Sequence, residues 1–294
     1  MSAIASAPTV ATVLECAIAT LEAAGVPAPR VEAEWLLAGT LGVGRARLRL
    51  EAPTPLTAAT AVAFDRAIRR RAAREPLQQI LGWEDFRGLR IALTPDVLVP
   101  RPETESLVEW ALARLPRAGA RRLRVADVGT GSGCIACALL AARPDLDVLA
   151  IDLSPAAARV ARANLGAHDS SAYVVVADSL STVREHSLDA VIANPPYLTD
   201  AELDALAPEV SGFEPRLALA GGVDGRRMLD ALVDDAARVL RPGGIVVLET
   251  GGPAHVGALS PRLHARGFEA VDSCADLPGV VRFVAARLRG APPA

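Results

Sequence analysis

The stretch LRVADVGTGSGCIACALL, residues 123–140, constrains the fold more than any other part of the chain. An apolar run ends at Val128, meets Gly129, Gly131 and Gly133, and passes into small apolar residues of helical character. Strand, glycine turn and helix in succession open a βα unit; the glycines allow a tight turn and let a ligand come close to the backbone. Nineteen residues after Gly133, a second apolar run ends on Asp152 in LAIDLSP. A carboxylate at that strand end is placed to accept hydrogen bonds from ribose hydroxyls, so the two features together predict a nucleoside site.

The spacing is G-x-G-x-G rather than G-x-G-x-x-G, which points away from NAD and towards S-adenosylmethionine. A third run ends at Ala177-Asp178-Ser179. Asp178 therefore reaches the same edge and can accept from an adenine amino group, a loop acid or helix cap being the alternative. The fourth run, LDAVIA, stops at Ala193 and is followed at once by Asn194, Pro195, Pro196 and Tyr197. Two prolines end the strand and stiffen the loop, because neither donates a backbone hydrogen bond and each holds its predecessor extended.

That loop fixes polar groups where open α/β sheets bind ligands. A planar amide or amino nitrogen is a poor nucleophile because its lone pair is delocalised. A site that methylates one needs hydrogen-bond acceptors rather than a strong base. The Asn194 side-chain oxygen and the Pro195 carbonyl can each take one N–H, and the Tyr197 ring can pack on the flat face of the acceptor.

Strands are expected at residues 124–128, 147–151, 173–177, 188–193, 245–249, 270–274 and 280–285. Helices are expected at 135–142, 155–165, 225–240 and 254–265. Nearly all-apolar strands alternating with helices belong to a parallel sheet covered on both faces. The last two strands, with only a loop between them, suggest one antiparallel edge strand. From Thr9 to about Arg74 apolar residues recur at three- and four-residue steps, which gives a small helical domain. Between the two, Ile80, Leu81, Trp83 and Phe86, then Leu89, Ile91 and Leu93, suggest a β-hairpin across Gln78 to Leu93. The divisions expected are 1–76 for a helical substrate-recognition domain, 77–100 for the hairpin linker and 101–294 for the sheet domain. In VLVPRPETESLVEWALARL, Pro102 and Glu103 suit a helix start, and Arg101, just ahead of it, is free to point into a cleft.

With 294 residues, 51% of them hydrophobic, the chain can bury two cores. Net charge is −3, and the 31 basic residues are all Arg. Stable nucleic-acid binding has no support in such a balance. The local excess at Arg69, Arg70, Arg71 and Arg74 reads as a solvated helix face or as contact with an acidic or RNA-containing partner. Cys134 and Cys137 form a C-x-x-C where a helix begins; without a second pair they read as small helix residues, and no metal site is expected. The N-terminus lacks a basic leader, no apolar run reaches 18 residues, and the expectation is a cytoplasmic protein. The Pro-rich C-terminal tail is expected to fray.

The chain closely resembles the HemK/PrmC-like protein-(glutamine-N(5)) methyltransferases that modify peptide chain release factors. DVGTGSG and NPPY carry the resemblance, with QQILGWEDFRGLRIALTPDVLVPRPETE, FEPRLALAGGVDG from Phe213 to Gly225, and LRPGGIVVLETG from Leu240 to Gly251. It implies a class I S-adenosylmethionine-dependent methyltransferase fold: a Rossmann-like α/β domain with a seven-stranded, mostly parallel sheet, preceded by an all-helical domain and a linking β-hairpin. It implies cofactor contacts at Gly129, Thr130, Gly131, Ser132, Gly133, Asp152, Asp178 or Ser179, and Asn194. The target glutamine, in the Gly-Gly-Gln loop of class I release factors, would be held by Asn194, Pro195, Pro196 and Tyr197. A ribosomal-protein glutamine and an adenine amino group in nucleic acid are the rival acceptors, and a binding module without turnover is the non-enzymatic rival. The chain departs from the family pattern at Ser179, where relatives often carry a bulky residue, at Ala254, where many have Gln, and in DLPGVVRF, which lacks an acid before its Arg.

Overall fold

A computed structural model describes residues 8–117, 121–168, 170 and 172–290. The tail expected to fray, residues 291–294, lies outside them. The chain divides into two compact units, Met1–Gly82 with Ala207–Phe213, and Trp83–Leu206 with Glu214–Ala294.

The first unit is helical. It comprises α1 (Val10–Ala23), α2 (Pro29–Leu41), the short α3 (Leu48–Glu51), α4 (Ala58–Ala72) and α5 (Leu77–Leu81). Thr9 and Thr57 cap α1 and α4 by accepting from the backbone N–H three residues on, and Gly42 ends α2 in left-handed geometry. Leu21, Leu36, Leu37, Phe64 and Ile68 fill its core. The arginine cluster divides: Arg69 stays on the exposed face of α4, Arg71 is buried, and Arg70 and Arg74 are partly covered. Arg69 pairs with Asp65 and Arg70 with Glu75. Buried Arg71 pairs with Glu32, and at 2.9 Å with Glu209 of α10 (Pro208–Ser211), which Arg74 also holds at 2.7 Å. The Gln79 side chain donates to the Phe213 carbonyl at 3.2 Å. Ala207–Phe213 is thereby fastened within this unit.

The second unit starts with β1 (Trp83–Phe86) and β2 (Leu89–Ala92), an antiparallel hairpin. It is shorter than the sequence suggested: Ile80 and Leu81 belong to α5, which Gly82 ends in left-handed geometry. Phe86 and Ile91 enter the core of this unit, and Asn164 clasps Ala92 through both its N–H and its C=O. The remaining elements are α6 (Pro102–Arg114), β3 (Leu123–Val128), α7 (Cys134–Ala142), β4 (Leu146–Asp152), α8 (Pro155–Ala167), β5 (Ala172–Val176), β6 (Leu188–Ala193), α9 (Asp200–Asp204), α11 (Arg227–Val239), β7 (Leu240–Glu249), α12 (Pro253–Ala265), β8 (Phe268–Ala275) and β9 (Val281–Leu288).

The sheet has seven strands in the order β5-β4-β3-β6-β7-β9-β8. Strands from β5 to β7 pair in parallel, and β9 pairs antiparallel with both β7 and β8. The reversed strand is therefore not the edge. α12 carries the chain past that position, β8 forms the outer strand, and the hairpin folds β9 back into the gap. Alternate residues serve opposite faces: Val125, Ile245 and Val247 pack with α6, α7 and α8, while Val128, Val246 and Leu248 pack with α11 and α12. All six residues of β6 are buried, and its one charged residue, Asp189, is paired with Arg121 at 2.5 Å and Arg241 at 2.8 Å. Cys134 and Cys137 lie in the α7 core, and burial pushes both thiols up to about 12.

Candidate active site

Strands β3, β4 and β6 end together at one edge of the sheet, and a cavity of about 460 Å³ opens there. Its lining includes Gly129, Gly131, Asp152, Asp178, Ser179, Asn194 and Pro196 from the motifs, with Val97, Leu153, Met228 and Ala231 among the apolar contributors. Thr130, Ser132, Gly133, Pro195, Tyr197 and Arg101 do not line it.

The glycine turn is held from behind. Gly129, Gly131 and Gly133 all have positive φ, and a Cβ on Gly129 would meet nothing within 4 Å. Gly133 meets the opposite constraint, since a Cβ there would stand 3.0 Å from the Cα of Ala161 on α8. Asp152 clamps the turn by accepting from Gly131 N at 2.9 Å and from Ser154 N at 2.8 Å. Each carboxylate oxygen keeps a second lone pair for a ligand. Beneath the turn lies Asp127, fully buried, whose Oδ2 accepts from Thr130 Oγ1 at 2.6 Å and from Ala136 N at 3.1 Å. Burial pushes its carboxyl up to about 7 while those two bonds hold it down, and its Oδ1 has no partner among the described residues.

Asp178 is exposed at the cavity rim. Ser179 has φ 50° and donates to Asp235 of α11 at 2.8 Å, so this strand end is tied to a helix of the opposite layer. Arg101 is already engaged, its guanidinium 2.6 Å from the buried Glu214 carboxylate.

The NPPY loop sits on a polar network that sequence reasoning missed. Asn194 Nδ2 donates to Thr104 Oγ1 at 2.9 Å, and Thr104 donates to Glu249 Oε2 at 2.9 Å. The Tyr197 hydroxyl faces Glu249 Oε1 at 3.5 Å. Thr104 is 3% exposed and Glu249 1%. Burial pushes Glu249 up to about 7; burial together with the Glu249 charge pushes Tyr197 up to about 12, so Tyr197 stays a donor. The loop is also gripped along its backbone, with Leu198 N bonded to Leu219 O at 3.0 Å and Gly221 N to Leu198 O at 2.8 Å. The Tyr197 ring tilts against His255, their centroids 6.5 Å apart. A strand-end acid was the available signal for Glu249. Thr104 carried none, because a threonine in a helix's first turn reads as capping.

Residues 12–82 match the model of the PrmC N-terminal domain, and residues 109–209 that of the methyltransferase small domain. A release factor glutamine methyltransferase of Cereibacter sphaeroides is 43% identical over 96% of this chain and 99% of its own length. The chain belongs to the release factor glutamine methyltransferase family. The Mycolicibacterium smegmatis enzyme of that name is 41% identical across 94% of this chain and 96% of its own. A methyltransferase from Pyrococcus furiosus shares the fold at a TM-score of 0.51, with 20% identity over 69% of this chain and 90% of that one.

Two of the departures from the family pattern have structural accounts. Ser179 serves as an internal anchor to Asp235. In the β8–β9 hairpin, Asp276 supplies an acid to Arg282 at 2.5 Å. Ala254 is exposed in the first turn of α12, and nothing in the structure explains its identity.

Proposed function

We propose that this protein transfers a methyl group from S-adenosylmethionine to the side-chain amide nitrogen of the glutamine in the Gly-Gly-Gln loop of class I release factors. The observation that carries the reading is the convergence on one cavity of the glycine turn, Asp152 and Asn194. Family membership and the near-complete alignment with enzymes of that name support the acceptor. The cavity suits the cofactor in two respects: open space at Gly129 and an acid at the β4 end.

Gly129 and Gly131 with Asp152 would hold the cofactor, with Asp178 and Ser179 at the adenine end, while Thr130, Ser132 and Gly133 would shape the turn from behind. The cofactor supplies, when bound, an electrophilic methyl on a sulfonium. Asn194 Oδ1 and the Pro195 carbonyl accept the two amide N–H bonds of the glutamine, which fixes the nitrogen and lets bonding shift towards tetrahedral geometry. Pro196 keeps the loop stiff, and Tyr197 packs against the acceptor. Methyl transfer would break the sulfonium–methyl bond as the nitrogen–carbon bond forms, leaving a neutral thioether, and the amide nitrogen would release one proton to solvent. Positioning of this kind lowers a barrier by several kcal/mol, up to roughly 7 to 11 in favourable cases. The helical unit, residues 1–76 in the sequence division, serves in substrate recognition, with residues 77–100 as the linker to the catalytic domain at 101–294. Arg101 supports the site through Glu214.

We infer further that the enzyme works as a cytoplasmic monomer without stable nucleic-acid binding. Acidic partners within the helical unit for Arg69, Arg70, Arg71 and Arg74 support the last point. No helix among the described residues is long and apolar enough to cross a membrane. Incubation with methyl-labelled cofactor and, in separate reactions, a class I release factor, ribosomal proteins, DNA and RNA tests the reading. Label is expected on the release factor; label on ribosomal protein or nucleic acid alone would replace it with one of the rivals.

A further inference from the structure

We propose that Thr104 and Glu249 are positioning residues that set which way the Asn194 amide faces, so that the loss of one proton from Glu249 turns the methyl-transfer site on. The inference rests on the reading of Asn194 as an acceptor for the substrate amide.

An asparagine amide presents an acceptor at one end and donors at the other, and its neighbours decide the choice. Thr104 has a single hydroxyl proton. While Glu249 is charged, its Oε2 takes that proton at 2.9 Å. Thr104 Oγ1 then offers only lone pairs to Asn194, so Nδ2 faces it at 2.9 Å and Oδ1 is left for the substrate. A proton on Oε2 reverses the chain of donors. Glu249 then donates to Thr104, and the Thr104 proton points at Asn194. The amide answers by turning Oδ1 inward, and its NH2 confronts the substrate N–H donor to donor.

A carboxylate 1% exposed at a strand end is costly to charge, and an apolar residue there would spare that cost. The groups facing Glu249 are Thr104 and Glu103 from α6, Tyr197 from the NPPY loop, and Arg282 from β9, itself engaged by Asp276. His255 of α12 stands beyond Tyr197. Burial raises Glu249 to about 7, while Thr104 and Arg282 oppose the rise, so the proton leaves near neutrality.

The test uses the full-length protein as wild type, Glu249→Gln, Thr104→Val and Thr104→Ser. Two readouts are followed between about pH 5.5 and 8.5: the NMR signals of the Asn194 side-chain amide, and kcat with a class I release factor. In wild type the Asn194 signals should titrate near neutrality, and kcat should rise about tenfold per pH unit below that midpoint. Glu249→Gln should abolish both changes. Thr104→Val should lower kcat by about 10- to 100-fold with both KM values within about twofold, and Thr104→Ser should restore most of the rate. Unchanged pH limbs in Glu249→Gln, or wild-type kcat in Thr104→Val, would overturn the proposal, as would Asn194 signals that do not move in wild type. Asn194 signals that titrate in a protein unable to methylate a release factor would uphold the network and sink the assigned substrate.

Discussion

Gly221 lies where the FEPRLALAGG segment crosses the NPPY loop. A Cβ on it would stand 2.7 Å from Tyr197 Cα, 2.7 Å from Gly225 O and 2.8 Å from Gly225 Cα, against 3.4 Å or more for ordinary contact. All three neighbours are backbone, so Gly221→Ala must push the loop by about 0.7 Å, the difference between 3.4 and 2.7. Overpacking of this kind costs about 1–3 kcal/mol. In a protein of this size that lowers Tm by roughly 2–12 °C. A misplacement of about 1 Å at reacting atoms costs on the order of 100-fold in rate. The expected result is kcat down by about 10- to 100-fold with cofactor affinity unchanged, because Gly221 does not line the cavity. Gly257 in α12 is the control: a Cβ there meets nothing within 4 Å, and Gly257→Ala should stabilise by about 0.5–1 kcal/mol with full activity. Steady-state kinetics, cofactor titration and thermal melting read all three quantities. Wild-type kcat and Tm in Gly221→Ala would refute the reasoning, as would a parallel loss of cofactor binding.

Asn194→Ala should lower kcat/KM for the release factor by about 2 kcal/mol or more of transition-state stabilisation while the circular dichroism spectrum and Tm stay near wild type. Gly133→Ala, with φ 81° and its Cβ 3.0 Å from Ala161 Cα, should cost about 2–4 kcal/mol in denaturant unfolding and weaken cofactor binding, because the turn and α8 must separate. Glu209 is held down to about 2, burial being outweighed by hydrogen bonds from Arg74 and Arg71. A folded pKa below the unfolded value stabilises above about pH 4.5 and loses that contribution as pH falls towards 2. Glu209→Gln should therefore destabilise by about 1–2 kcal/mol at neutral pH, with the difference shrinking on acidification in pH-dependent unfolding.

The sheet domain was legible because its signals are local. Apolar runs such as LDAVIA are buried on both faces, and each one's exit is punctuated by Gly, Asp or Asn-Pro. Strand order was less so: whether β9 or β8 takes the edge depends on how α12 crosses the sheet, which no short window encodes. The hairpin boundary slipped because Ile80 and Leu81 suit a helix and a strand equally, and Gly82 decides between them through its left-handed backbone. Spacing alone singled out Gly129, Asp152, Asp178 and Asn194 as neighbours at one sheet edge, and all four line the same cavity. Thr104 and Glu249 were not, since their chemistry exists only once residues 145 positions apart meet through one hydrogen bond. The excursion of Ala207–Phe213 into the helical unit was equally invisible, because it depends on Glu209 meeting Arg71 and Arg74 far along the chain.

The most direct measurement is mass-spectrometric fragmentation of a class I release factor after incubation with the enzyme and S-adenosylmethionine. The account predicts one added methyl on the side-chain amide nitrogen of the Gly-Gly-Gln glutamine, nearly absent when Asn194→Ala replaces the wild-type enzyme. A methyl on any other residue, or an unmodified factor under conditions where the enzyme binds its cofactor, would contradict it.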